Sequence, residues 1–273
     1  MIHHVIQGTS VPALGFGTYK MAGEECRRSV ADALAIGYRH IDTAQSYDNE
    51  EHVGAALSQS GVSRDQIFLV TKLKPSNFRH RGAIDTSRES LRKLQTDYVD
   101  LLLLHWPSEE VELAETLGAL KELQAKGEVR HIGVSNFPST LVKEASRHIE
   151  LFANQVEYHP YLSQRTLLDL AGRLDSLLTA YSPIARGAVS DDETLMQIGR
   201  VYGKTPVQVT LRWLIQQERV AAIPKASGER HRKSNFDIFD FELSEEEMQR
   251  INALSHENGR LVDPDDAPDW DSH

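Results

Sequence analysis

The chain has 273 residues, with 30 Lys and Arg against 40 Asp and Glu for a formal charge of −10. Hydrophobic residues make up 40% and charged residues 26%, which excludes the disordered, collagen-like and disulfide-framework classes. A lone cysteine, Cys26, allows no intramolecular disulfide and no Cys-based zinc or iron–sulfur site, and the longest uniformly aliphatic stretch, 101–104, is far too short to span a membrane. A cytoplasmic protein with no membrane partner is expected, since the N-terminus has no basic start followed by an apolar run. The acidic balance disfavours generic nucleic-acid binding, which depends on clustered Lys and Arg. Small-molecule chemistry in one domain spanning 1–273 is the expectation, and nothing in the sequence points beyond a monomer.

In chain order, 5–11 reads as a hairpin, and eight short apolar runs follow at 14–17, 38–41, 67–70, 99–104, 129–134, 153–156, 177–180 and 220–223. Longer amphipathic stretches separate them. Segment 23–36 is helical in pattern and carries Cys26 as a small packing residue. Leu113, Leu117, Leu120 and Leu123 share one helical face, and Thr205-Pro206 begins a helix that continues through Val207, Leu211 and Leu214. Eight βα repeats in a chain of this length predict an α/β fold of the closed (β/α)₈ (TIM) barrel type, with an N-terminal β-hairpin. The closing segment, 260–271, holds five Asp and two Pro and is expected to be a C-terminal loop.

Barrel active sites lie at the C-terminal ends of the strands, so ionisable residues that close an apolar run are candidates for chemistry. Asp42, Lys72 and His105 meet that condition, and Tyr47 in the loop after Asp42 can fold over the same rim. The four suit protonation of a carbonyl oxygen while hydride reaches the carbon. Tyr47 supplies the proton, the Lys72 ammonium makes the phenol more acidic, Asp42 pins Lys72, and His105 polarises the carbonyl. For a cofactor, no G-x-G-x-x-G fingerprint is present. After the eighth run, however, Lys225, Arg230, Arg232 and Lys233 with Glu229 give a local charge of +3, suited to phosphates. The 12 His form no H-E-x-x-H pair, so no metal site is expected.

Asp42-Thr43-Ala44 with Tyr47, Thr71-Lys72, the aliphatic run into His105-Trp106-Pro107 and Gly133-Val134-Ser135-Asn136-Phe137 together resemble the aldo-keto reductase superfamily. So do Asn154-Gln155-Val156-Glu157-Tyr158-His159-Pro160-Tyr161, Ala180-Tyr181-Ser182-Pro183, Ile223-Pro224-Lys225 and the closing Arg260 and Trp270 segments. The likeness spans nearly the whole chain and is nearest the bacterial 2,5-diketo-D-gluconate and methylglyoxal reductase type. The resemblance implies a catalytic tetrad of Asp42, Tyr47, Lys72 and His105 and the cofactor NADP(H). It places Ser135, Asn136 and Gln155 on the carboxamide, Tyr181 on the nicotinamide ring, and Gly17, Thr18 and Tyr19 beside the cofactor. Ser182 and Ile184 would line the pyrophosphate, Lys225 and Arg230 would hold the 2′-phosphate, and Asn235 would lie near the adenine.

Trp106 and Lys74 are expected in the substrate pocket, where Lys74 replaces the aromatic residue of many relatives and favours a more polar or anionic substrate. His231 likewise stands where many relatives have Arg. The implied function is NADPH-dependent reduction of small aldehydes, α-dicarbonyls such as methylglyoxal, or keto-sugar acids such as 2,5-diketo-D-gluconate. Two alternatives remain: an aldolase using Lys72 as a Schiff base, and a non-enzymatic NADP(H)-binding sensor or subunit.

Overall fold

The structure is a computed structural model in which residues 1–271 are described. An antiparallel hairpin, β1 (His3–Ile6) with β2 (Thr9–Pro12), precedes eight parallel strands. These are β3 (Phe16–Gly17), β4 (His40–Asp42), β5 (Phe68–Leu73), β6 (Val99–Leu104), β7 (Val129–Ser135), β8 (Ala153–Glu157), β9 (Leu177–Tyr181) and β10 (Val220–Ala222). Each pairs with its sequence neighbour, and the ends meet through the Leu14–Ala222 bridge, with the Gly15 N–H donating to the Ala222 carbonyl at 2.8 Å. The sheet is thereby a (β/α)₈ barrel. The first run is shorter as a ladder than its apolar pattern, because Leu14 reaches across to β10 while only Phe16 and Gly17 pair with β4.

Helices α1 (Gly23–Ile36), α2 (Glu50–Gln59), α3 (His80–Leu94), α4 (Leu113–Ala125), α5 (Ser139–Ala145) and α6 (Arg165–Leu174) fill the crossovers. A pair, α7 (Glu193–Tyr202) and α8 (Pro206–Gln216), precedes β10, and α9 (Glu229–Phe236) and α10 (Glu245–Asn252) follow it. The start read at Thr205-Pro206 is a capping box, in which the Thr205 hydroxyl accepts from the Gln208 N–H and the Gln208 side chain from the Thr205 N–H. No helix among the described residues is long and apolar enough to cross a membrane.

Two cores follow from the period of two along a strand. Outward residues such as Leu69, Leu102 and Leu104 pack on the helices, while Phe68, Val70, Leu101, Leu103, Phe152 and Leu177 fill the barrel interior. Ile6 and Val11 of the hairpin join that interior cluster, so the hairpin stoppers one end of the barrel and leaves the other for the site.

Candidate active site

The same alternation carries chemistry to the open end. Continuing the interior positions 68 and 70 along β5 brings Lys72 inward, and continuing 101 and 103 along β6 brings His105 to the rim just past the strand. Asp42 closes β4, and Tyr47 lies on the one-turn 3₁₀ segment Gln45–Tyr47 that bends back over the opening. Lys72 is fully buried and Asp42 is 1% exposed.

All three ammonium protons of Lys72 have acceptors. Nζ donates to Asp42 Oδ1 at 2.5 Å, to the Thr43 carbonyl at 2.8 Å and to Tyr47 Oη at 3.4 Å. The second Asp42 oxygen accepts from Gln155 Nε2 at 2.7 Å. Because Lys72 donates to the phenol oxygen, the Tyr47 O–H is left to face away from the ion pair. The Tyr47 ring stands edge-on to His105 at 5.6 Å, and the Tyr19 ring lies 5.1 Å away.

The electrostatics differ from the sequence expectation in one respect. Burial, then the Asp42 charge and Tyr19, push the Tyr47 phenol well above its ordinary value instead of below it. Asp42 at 2.5 Å offsets the lysine charge, so the phenol faces a nearly neutral pair in a dry setting. Burial also lowers Lys72, with Asp42 opposing the shift. Burial and the Lys72 charge depress His105 to about 3, which keeps its imidazole neutral and able to donate a hydrogen bond.

Of the residues expected beside a nicotinamide, Ser135, Asn136, Gln155 and Tyr181 form one continuous hydrogen-bonded arc. Ser135 Oγ donates to the Gln155 carbonyl at 2.8 Å, and Tyr181 Oη donates to Asn136 Oδ1 at 2.7 Å. Asn136 Nδ2 donates to the His105 carbonyl at 3.0 Å, while Gln155 reaches Asp42. On the opposite side Thr18 Oγ1 donates to the Asp42 carbonyl, and Gly17 approaches so closely that a Cβ there would stand 2.8 Å from the Ile223 carbonyl oxygen. Tyr19 is 56% exposed, open to a ligand lying along this edge.

The phosphate-suited residues separate into two sets. After β9, Ser182, Ala185 and Arg186 have φ near +50° on either side of Ile184, a tight loop in which the Ala185 and Gly187 N–H groups donate to the Ser182 and Ile184 carbonyls. Arg186, which the sequence reading did not single out, is exposed on this loop. After β10, Lys225 and Arg230 are exposed and make none of the ion pairs found among the described residues. The +3 cluster is smaller than its sequence count, however. Arg232 turns inward to Asp32 at 2.6 Å and to the Ala226 and Ser227 carbonyls, and Lys233 pairs with Glu229 one turn earlier. Asn235, on α9, is 4% exposed. Exposed Arg186 after β9 and exposed Lys225 and Arg230 after β10, on neighbouring loops of one rim, fit the two phosphate regions of a dinucleotide.

The closing segment is anchored on the barrel. Glu157, fully buried beside His159, accepts from the Leu261 and Val262 N–H groups at 2.8 and 2.9 Å, and Asp271 accepts from the Ser139 N–H and hydroxyl at the start of α5. Between these anchors Trp270 packs edge-on to Trp106 at 6.2 Å, with the Arg260 guanidinium over the Trp270 ring, 3.8 Å from its centroid. Trp106 is thus covered by the closing segment, while Lys74 is exposed at the rim.

Residues 13–256 match the sequence profile of the Aldo/keto reductase family. The chain belongs to that family. This aldo/keto reductase is 39% identical over 262 residues to a glyoxal reductase of Bacillus subtilis, covering 95% of this chain and 94% of that one. Among solved structures it superposes with a TM-score of 0.97 on one provisionally assigned as a 2,5-diketo-D-gluconic acid reductase B, at 49% identity and covering 100% and 98% of the two chains. The aldo-keto reductase of Bombyx mori, solved in complex with NADP, matches with a TM-score of 0.90 at 32% identity, covering 98% and 97%.

The aldo/keto reductase site also uses residues that the sequence reading passed over. Asn49 Nδ2 ties the Thr18 and Met21 carbonyls while its Oδ1 accepts from Thr43, and Gln45 latches the Tyr47 segment to Lys74, just past β5, and to α3. Polar side chains in an irregular loop give no periodic signal, and only their partners reveal them.

Proposed function

We propose that the protein is an NADPH-dependent carbonyl reductase acting on small aldehydes, α-dicarbonyls such as methylglyoxal, or keto-sugar acids such as 2,5-diketo-D-gluconate. The observation that carries this reading is the buried Lys72 ammonium held between Asp42 and the Tyr47 phenol, with a neutral His105 across the opening. Family membership, and relatives named for glyoxal and diketogluconate reduction, support the reaction class. A bound NADPH would supply the hydride. Tyr47 gives its proton to the carbonyl oxygen as negative charge develops there, a transfer that runs downhill from phenol to an alkoxide even with a raised phenol pKa. Lys72 stabilises the phenolate left behind, and His105 donates to the same carbonyl oxygen.

The Schiff-base alternative requires a free amine at Lys72, whereas that amine already has three acceptors. The sensor alternative predicts cofactor binding without turnover. A steady-state panel of aldehydes, ketones and dicarbonyls with NADPH and NADH in parallel tests both, since turnover of no carbonyl at all would remove the reductase reading.

Lys225 is assigned to the 2′-phosphate. Lys225→Ala is expected to raise the NADPH Kd roughly tenfold to a hundredfold, the worth of one charge-assisted hydrogen bond, with little change for NADH. Fluorescence titration of both cofactors reads this directly, and equal losses for the two would move Lys225 elsewhere.

The pH profile has a definite sign. Reduction needs Tyr47 protonated and His105 neutral, conditions met together between the low His105 value of about 3 and the raised Tyr47 value. Reductive kcat/KM is therefore expected to be flat from about pH 5 to about pH 9. Alcohol oxidation needs the phenolate and should rise with pH throughout that window. A break near neutrality in the reductive profile would show that His105 titrates in water-like surroundings.

A further inference from the structure

Gln45 and Ser46 lie between Asp42 and Tyr47 in the chain and take no part in the proton path. Gln45 is held from three sides: its Oε1 accepts from the Lys74 N–H and from Asn77 Nδ2, both at 3.0 Å, and its Nε2 donates to Ser90 Oγ at 3.1 Å. This latch fixes the 3₁₀ segment and with it Ser46, whose Oγ lies 3.0 Å from His105 Nδ1. His105 is in turn fixed through its backbone. Its N–H donates to the Leu73 carbonyl at 3.1 Å, and its own carbonyl accepts from Asn136 Nδ2 at 3.0 Å. Ser46 is the one partner of a His105 ring nitrogen among the described residues.

We infer that Ser46 donates its hydroxyl proton to His105 Nδ1 and so holds the ring as the Nε2–H tautomer, making Ser46 a positioning residue for the carbonyl reduction proposed above, on which this inference rests. A neutral imidazole carries one proton, and the hydrogen bond at one nitrogen decides what the other presents. With Nδ1 accepting, Nε2 is a donor to the substrate carbonyl oxygen. With the proton on Nδ1 instead, Nε2 would turn a lone pair toward the lone pairs of that oxygen, and the polarising contact would become a repulsion. Ser46 is exposed, so an alanine there leaves Nδ1 to water, which offers the same bond without the fixed direction that the Gln45 latch gives a side chain.

Ring-nitrogen NMR of the cofactor-free protein, with the His105 signals assigned by their loss in His105→Gln, reads the tautomer without any turnover. The expected wild-type spectrum has Nδ1 unprotonated and Nε2 protonated. Ser46→Ala should give a mixture of tautomers and lower carbonyl kcat/KM about fivefold, the worth of one neutral hydrogen bond, with the NADPH Kd unchanged. Ser46→Thr should restore both the tautomer and the rate. A wild-type ring with its proton on Nδ1 overturns the assignment, as does a Ser46→Ala protein that keeps both the tautomer and kcat/KM. Wild-type protein that reduces no carbonyl would sink the reductase reading instead, and the ring spectrum then judges the tautomer by itself.

Discussion

Tyr47→Phe is expected to lower kcat for carbonyl reduction about a thousandfold, the usual weight of a positioned general acid, while changing the NADPH Kd by less than about threefold. The substitution removes one oxygen and keeps the ring, so the packing against Tyr19 and His105 survives. Lys72 loses only its longest hydrogen bond, at 3.4 Å, and stays held by Asp42 and the Thr43 carbonyl. No other phenol can stand in: Tyr181 is bound to Asn136, and Tyr19 is exposed at the rim. Single-turnover NADPH oxidation with methylglyoxal, beside a fluorescence titration of the cofactor, separates chemistry from binding. Turnover within about tenfold of wild type would place the proton donor elsewhere.

Lys72→Met has the second large effect, and it falls on stability as well as activity. Removing the amine leaves Asp42, 1% exposed, with Gln155 as its remaining side-chain donor. Breaking a buried ion pair from one side costs about 3–5 kcal/mol, because the stranded charge has lost its partner but not its burial. For a chain of this size that corresponds to a fall in Tm of about 10 °C. Adding Asp42→Asn removes the stranded charge, so the double variant should regain at least half of the lost Tm while remaining inactive. Thermal denaturation of the two variants measures this coupling. A single variant as stable as wild type would mean that the pair is not the buried, mutually dependent unit described here.

Much of this site was legible in the sequence because strand ends and burial leave a pattern. The runs at 67–70 and 101–104 are uniformly apolar, as barrel strands covered on both faces must be, and the first ionisable residues beyond them are Lys72 and His105. Asp42 likewise closes its strand, although Arg39 and His40 interrupt the run before it. The charge count after β10 was less faithful. Arg232 looks in sequence like its neighbour Arg230, yet the pitch of α9 turns it inward to Asp32. Likewise, nothing about Gln45 or Ser46 distinguishes them from ordinary loop residues until Lys74, Asn77, Ser90 and His105 are seen around them.

Sequence by itself determined the barrel, since hydrophobic period and turn chemistry are local properties that repeat eight times along the chain. It also named the four ionisable groups at the rim. Only the tertiary structure decided their electrostatics: that burial, with Asp42 beside it, raises the Tyr47 phenol, that burial and the Lys72 charge lower His105, and that the acidic closing segment is fastened to Glu157 and Ser139. These outcomes depend on distances between residues far apart in the chain and on the exclusion of water, and neither quantity is written in the order of the residues.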